Sequence, residues 1–308
     1  MSYEEFDNNL KDRKNDSITS LQDQLGNEDI LFIKSSDDHG VLFNGGRRGA
    51  RFSPKVIQKE VLKLARRQIQ KKIFFEETCR PITIKTPSDF HSFQKDQIKK
   101  ISEIVKRCNN KNIIHLGGGH DHIYTFVSAL SKTLLENKNI TIINFDAHLD
   151  TRADDVSHSG TPFRQLLNEF TQIELIQLGI HDYANVNANY EKLNMKIFTC
   201  EQLEDSTNGF QKDKSKEVLE SIVNKISDDH VIILSVDLDG FRASDIRSVS
   251  AVNHDGLPLN FLETTIEILN RKNSSIIMGL YEYNPLYDSL ATEDARKVAS
   301  IIYKSVLK

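Results

Sequence analysis

Three short segments concentrate side chains that bind divalent cations. GGGHD (117–121) carries His120, DAHLD (146–150) carries Asp146, His148 and Asp150, and SVDLD (235–239) carries Asp237 and Asp239. Residues two apart in extended backbone project to one face, so the groups within each segment can converge. One acid at such a place is ordinarily a helix cap or a loop acceptor; this many ligand types at three places are harder to assign that way. Ionised carboxylates crowded into one site repel and are forced to take up protons unless cations sit among them. An oxygen-rich set with some imidazole suits two divalent ions of borderline hardness, manganese before zinc or copper. Two ions ~4 Å apart, bridged by carboxylates, can hold one water between them and bring its pKa towards neutral. The chemistry implied is metal-assisted hydrolysis of a planar, polarised carbon.

Each segment follows a short apolar run: Asn112–Leu116, Ile140–Phe145 and Val231–Val236. Ile30–Ile33, Leu175–Gly179 and Ser275–Leu280 are further runs of the same kind. They are mostly continuous, the pattern of strands covered on both faces of a parallel sheet. Between them, Lys55–Gln70, Gln94–Cys108, Lys214–Ile226 and Leu262–Leu269 have helical periodicity, and the polar stretch Asp205–Lys216 reads as a surface loop. Alternating strands and helices predict an α/β sheet with helices on both faces, whose ligand site lies beyond the carboxyl ends of the strands. Residues 1–28 read as an N-terminal arm or external helix, and 29–308 as a single catalytic domain.

The chain has 308 residues, 38% hydrophobic and 27% charged, which excludes a disordered polymer. A formal charge of −4 lacks the basic excess that nucleic acid requires. No apolar run approaches the roughly 18 residues that span a bilayer. The polar, acidic N-terminus does not read as an export signal, and Cys79, Cys108 and Cys200 form no Cys-x-x-Cys pair. A cytoplasmic enzyme acting on a small molecule is expected. The glycines of GGGHD lack the G-x-G-x-x-G spacing of a dinucleotide site, and HSGT is no G-x-S-x-G elbow.

In type and order, the three acidic segments resemble the arginase or ureohydrolase superfamily, over a span from about Asp37 to Asp288. The resemblance implies a three-layer α/β/α sandwich around a mostly parallel eight-stranded sheet, two Mn2+ per subunit and a homo-oligomer. It also implies that His120, Asp146, Asp150 and Asp237 bind one ion and that His148, Asp146, Asp237 and Asp239 bind the other. GGGHD, SGTPFRQ (Ser159–Gln165) and NGGRRGARFSP (Asn44–Pro54) look most like the formimidoylglutamase branch. That branch implies cleavage of N-formimidoyl-L-glutamate to L-glutamate and formamide, with a bridging hydroxide attacking the amidine carbon.

Glu282, in YEYNPLYD (281–288), matches the family carboxylate that pairs with a cationic guanidinium or amidinium, and with Asp150 it is a catalytic candidate. Arg152, two residues past the last ligand of DAHLD, stands where arginases place a polar contact to the substrate carboxylate. An arginine fork there suits a substrate with two carboxylates. Asn44, Arg47 and Ser159 are further substrate-binding candidates, Asn44 within a turn at the site rim. Arg48 and Arg164 are as readily structural as carboxylate-binding. His115 reads as a core residue and His122 as an outer partner of the ligands, while His39, His158 and His181 have open roles. The stretch 242–258 departs from the proline-containing sequence usual in relatives and bears on substrate selectivity. The alternatives are another ureohydrolase, acting on agmatine or guanidinobutyrate, and a non-catalytic metal-binding relative.

Overall fold

A computed structural model describes residues 30–64, 73–79, 84–107, 112–186, 190, 192–272 and 275–307. The arm expected over 1–28, the end of the helix expected over Lys55–Gln70, and Cys108 lie outside the described residues.

The six apolar runs all form strands: β1 (Ile30–Ser35), β3 (Asn112–Gly117), β4 (Ile140–Phe145), β5 (Ile173–Ile180), β7 (Val231–Asp237) and β8 (Ile277–Tyr281). Two more, β2 (Ile73–Glu77) and β6 (Met195–Thr199), complete an eight-stranded sheet in the order β2-β1-β3-β8-β7-β4-β5-β6. Every pairing is parallel. The two strands absent from the sequence reading are the sheet's edges. They are only partly buried, so they lack the continuous apolar run that double burial imposes on the interior strands.

Side chains alternate across the sheet and divide the core in two. Ile30 and Phe32 of β1, with Ile232, Leu234 and Val236 of β7, face a layer built by α2 (Ser53–Leu62), α6 (Cys200–Ser206), α7 (Lys212–Val223), α8 (Leu259–Lys272) and α9 (Glu293–Ile302). Leu31, Ile33 and Ile233 face α3 (Pro87–Arg107), α4 (His122–Ser131) and α5 (Pro162–Glu169) on the other side. The short α1 (His39–Phe43) follows β1 at the carboxyl end of the sheet. This is the three-layer sandwich that the resemblance implied. The loop expected over Asp205–Lys216 is narrower, because α6 runs to Ser206 and α7 begins at Lys212. Thr199 and Gln202 form a reciprocal capping box that starts α6.

The strand order explains how residues distant in sequence meet. β3, β8, β7 and β4 are consecutive neighbours in the middle of the sheet, and their carboxyl ends deliver His120, Glu282, Asp237 and Asp146. Chain order reverses there: β1 and β2 lie to one side, β5 and β6 to the other, and β7 and β8 fill the centre. Ligand sites of open α/β sheets form at such a crevice.

Candidate metal centre and substrate cleft

His120 sits beyond three glycines because the backbone there is too crowded for a side chain. A Cβ on Gly118 would lie 1.8 Å from the carbonyl oxygen of Asp37. The glycines thus permit close packing of β3's exit against the loop after β1, and need no phosphate to explain them. His120 Nδ1 is buried and lies 3.1 Å from Asp146 Oδ2, 2.9 Å from Asp150 Oδ2 and 3.0 Å from Asp237 Oδ2. It nevertheless makes no aligned hydrogen bond, and neither does Asp239 Oδ1. One imidazole nitrogen ringed by three carboxylate oxygens has the geometry of four donors around a cation. One ligand atom from each of these four residues falls within 4.8 Å of the others, and the same holds for Asp146, His148 and Asp239.

Asp146 joins the two groups, its Oδ2 towards His120 and its Oδ1 3.5 Å from His148 Nδ1. Asp237 stands with the first group, and its Oδ1 accepts the backbone N–H of Asp239 at 2.9 Å. The electrostatics match an excess of buried negative charge. Burial, then the charge of Asp146, pushes Asp150 up to about 7. Burial, then Asp237, raises Asp239 and Glu282 well above the ordinary carboxylate range. Asp146 is held low despite its burial, because His120 and His148 both face it. Asp239 foremost raises His148, and the surrounding carboxylates raise His120 against the effect of burial. Divalent cations relieve this repulsion, so the residues present fit a two-ion centre.

Two site residues occupy left-handed backbone: Asp150 at φ 49° and Glu282 at φ 63°. Such conformations cost about 1–3 kcal/mol and persist where the surroundings fix them. The Asp150 carbonyl accepts the Phe163 N–H at 3.1 Å. The Glu282 N–H donates to the Gly118 carbonyl at 2.8 Å, and its Oε1 accepts the His120 N–H at 2.9 Å. Glu282 is thereby held against the metal-ligand loop.

The cleft above these groups measures about 390 Å³. Asn44, Arg47, Arg152 and Ser159 line it together with His120, His148, Asp150, Asp237, Asp239 and Glu282. Asn44 Nδ2 donates to Ser159 Oγ at 2.9 Å, tying the rim turn to the loop before α5. Arg47 is fixed by Ser250: its Nε donates to the Ser250 carbonyl at 3.0 Å while its guanidinium lies 4.7 Å above the Tyr287 ring. The divergent stretch 242–258 thus supplies the seat of Arg47. Arg152 points into the cleft and pairs with Asp154 at 2.9 Å.

The remaining candidates are engaged elsewhere. Arg48 approaches the buried Asp38 at 3.4 Å, and Arg164 Nε donates to the Thr151 carbonyl at 2.7 Å. His115 is satisfied in the core by Ser35 and Tyr281. His39 bonds Asp37, His122 approaches the Asp37 carbonyl, and His181 lies between Asn253 and Glu201. His158 contacts Asp154 and Arg152.

Residues that the sequence reading passed over form the floor of the centre. Asn144, two before Asp146, donates through Nδ2 to Asp146 Oδ2 at 3.3 Å and to Gln177 Oε1 at 2.7 Å. Gln177 Nε2 donates to the Leu149 carbonyl at 2.8 Å, and Ser235, two before Asp237, meets His120 Nε2 at 3.0 Å. Asn185 accepts the Leu149 N–H and donates to the Ala147 carbonyl, bracing the loop that carries His148. The available signal was a polar residue inside an apolar run, on the face shared with a ligand.

Comparison with known proteins gives the family. The chain is 27% identical over 314 residues to the formimidoylglutamase of Psychrobacter cryohalolentis, covering 92% of this chain and 88% of that one. It is 29% identical over 282 residues to that of Klebsiella pneumoniae, covering 90% and 84%. Among solved structures, the formimidoylglutamase of Bacillus subtilis superposes with a TM-score of 0.77 at 20% identity, covering 94% of this chain and 91% of that one. Trypanosoma cruzi formiminoglutamase with Mn2+ gives 0.76 at 20% identity, covering 94% and 97%. A family model described as the arginase family matches residues 39–307, a span that contains every imidazole and carboxylate of the candidate centre, and the chain belongs to that family.

Proposed function

We propose that this chain hydrolyses N-formimidoyl-L-glutamate to L-glutamate and formamide with two manganese ions per subunit. The observation that carries the reading is one cleft joining two carboxylate–imidazole groups that share Asp146, a buried acid at Glu282, and two arginines at the wall. The names of the formimidoylglutamase relatives support the substrate, and the Mn2+ of the T. cruzi structure supports the metal. His120, Asp146, Asp150 and Asp237 would hold one ion, and Asp146, His148, Asp237 and Asp239 the other. Once bound, the ions would supply Lewis-acid activation of water at neutral pH.

The protein's own groups do the positioning. Glu282 pairs with the cationic amidinium and holds its carbon above the centre. Arg152 and Arg47 receive the carboxylates of the glutamate moiety, while Asn44 and Ser159 fix the rim against it. Oxygen from water bonds to the amidine carbon, the bond to the glutamate nitrogen breaks, and that nitrogen leaves with a proton as the amine of glutamate. Residues 29–308 act as one catalytic domain, and the enzyme is a homo-oligomer of the cytoplasm. Among the described residues, no helix is long and apolar enough to cross a membrane.

The test is turnover by manganese-loaded protein of N-formimidoyl-L-glutamate beside arginine, agmatine and guanidinobutyrate. Formamide and glutamate from the first substrate alone is the expected result. Urea from one of the others in its place transfers the site to another ureohydrolase reaction.

A further inference from the structure

Among the described residues, the Arg152 side chain is anchored through Nη2. Its Nη2 donates to Asp154 Oδ2 at 2.9 Å, and the same oxygen lies 2.7 Å from His158 Nε2. The other ring nitrogen settles the tautomer: Nδ1 accepts the Gly160 N–H at 3.0 Å, so the proton of the neutral ring sits on Nε2 and is donated to Asp154. Burial lowers His158 below its ordinary range, and the charge of Arg152 adds to this against the pull of Asp154, which keeps the ring neutral. The 2.8 Å approach of Arg152 Nη2 to His158 Nε2 is therefore two donors sharing one acceptor.

His158, the second donor, is well seated. The His158 ring is buried, its backbone N–H donates to Thr161 Oγ1 at 3.1 Å, and the Thr161 hydroxyl donates back to the His158 carbonyl at 2.9 Å. Arg152 closes the same loop, its backbone N–H donating to the Gly160 carbonyl at 2.9 Å. Arg152 Nε and Nη1 have no protein partner among the described residues, and the side chain is 44% exposed at the cleft. One edge of the guanidinium is thus tethered while other N–H groups remain available to an incoming carboxylate.

We propose that Asp154 and His158 are positioning residues that hold the Arg152 guanidinium ready for a substrate carboxylate, setting selectivity for carboxylated amidines without touching them. The proposal rests on the reading of Arg152 as a carboxylate-binding residue. An arginine already fixed in its bound orientation loses less conformational freedom when the ligand arrives. Asp154 is half exposed, so its replacement spares the core.

The experiment is steady-state kinetics of the manganese-loaded full chain carrying Asp154→Ala, Asp154→Asn, His158→Phe, Arg152→Ala or the Arg152→Ala/Asp154→Ala pair. The substrates are N-formimidoyl-L-glutamate and N-propylformamidine, which has no carboxylate, and calorimetry gives the Kd for L-glutamate. Asp154→Ala is expected to raise KM for the carboxylated substrate and Kd for glutamate about 10-fold, with kcat within about twofold. Asp154→Asn, which keeps an acceptor oxygen, falls between, and His158→Phe moves KM the same way. Rates of the Asp154 and His158 variants on N-propylformamidine stay level, and on the carboxylated substrate the double variant is no weaker than Arg152→Ala alone. Equal losses on both substrates, or additive losses in the double variant, overturn the positioning role while leaving the carboxylate reading intact. An Arg152→Ala protein with unchanged KM and unchanged glutamate affinity overturns both.

Discussion

Asp146 faces both imidazoles of the centre, with one oxygen towards His120 and the other towards His148. Among the described residues Asp237, proposed for both ions, stands in the first group alone, and Asp146 is the one carboxylate in both ligand groups that the geometry defines. Its removal should therefore do more than the removal of a peripheral ligand. Asp146→Ala is expected to abolish turnover and lose both ions on dialysis, whereas Asp239→Ala, which leaves the His120 group whole, should keep one. Metal analysis of the two dialysed proteins decides this, and full retention of manganese by Asp146→Ala would remove Asp146 from the shared position. Glu282 belongs to the same scale. Its left-handed backbone and its hydrogen bond from the His120 N–H link the acid proposed to bind the amidinium to the loop that carries a candidate metal ligand, so the two parts of the site are built as one piece.

At the scale of elements, the sheet does more than display ligands at its rim. Parallel register places His115, Gly279, Ser235, Asn144 and Gln177 in one row across β3, β8, β7, β4 and β5. Asn144 and Ser235 share a face with Asp146 and Asp237, so this row forms a polar floor two residues beneath the metal centre. Gln177 links the floor to the Leu149 carbonyl in the ligand loop. Gln177→Leu leaves that carbonyl and one Asn144 contact unpaired, an effect of about 1–3 kcal/mol on stability. Through the orientation of Asp146 it should also weaken manganese binding by about 10–100-fold. Titration calorimetry on the folded variant measures the second effect, and wild-type manganese affinity would reduce Gln177 to a packing residue.

At the scale of the whole molecule, the buried acids couple metal binding to stability. An acid whose pKa is raised by folding keeps, in the native state, a proton that the unfolded chain has released. For Asp150 the resulting stabilisation is complete below 3.8 and is lost as pH rises through about 7. His120 and His148, also raised, act in the same direction, and Asp146, held low, opposes them only at the acid end. Metal-free protein is thus expected to melt at a lower temperature near pH 8 than near pH 6, with a larger rise in Tm on adding Mn2+ at the higher pH, where the ligands have shed their protons. Calorimetric scans with chelator and with metal test this; apo stability that climbs between those pH values would contradict the shared burial of these acids. The sequence by itself determined the ligand types and their pairing within each segment, because a spacing of two residues is a local property of extended chain. It also determined the interior strands, since burial on both faces leaves a continuous apolar run. Tertiary structure alone decided the edge strands β2 and β6, whose partial exposure erases that run, and the polar floor, which exists only through cross-strand register. It also separated Arg47 from Arg48, adjacent in sequence: folding of the rim turn sends one to the cleft and the other to Asp38, a choice no local pattern encodes.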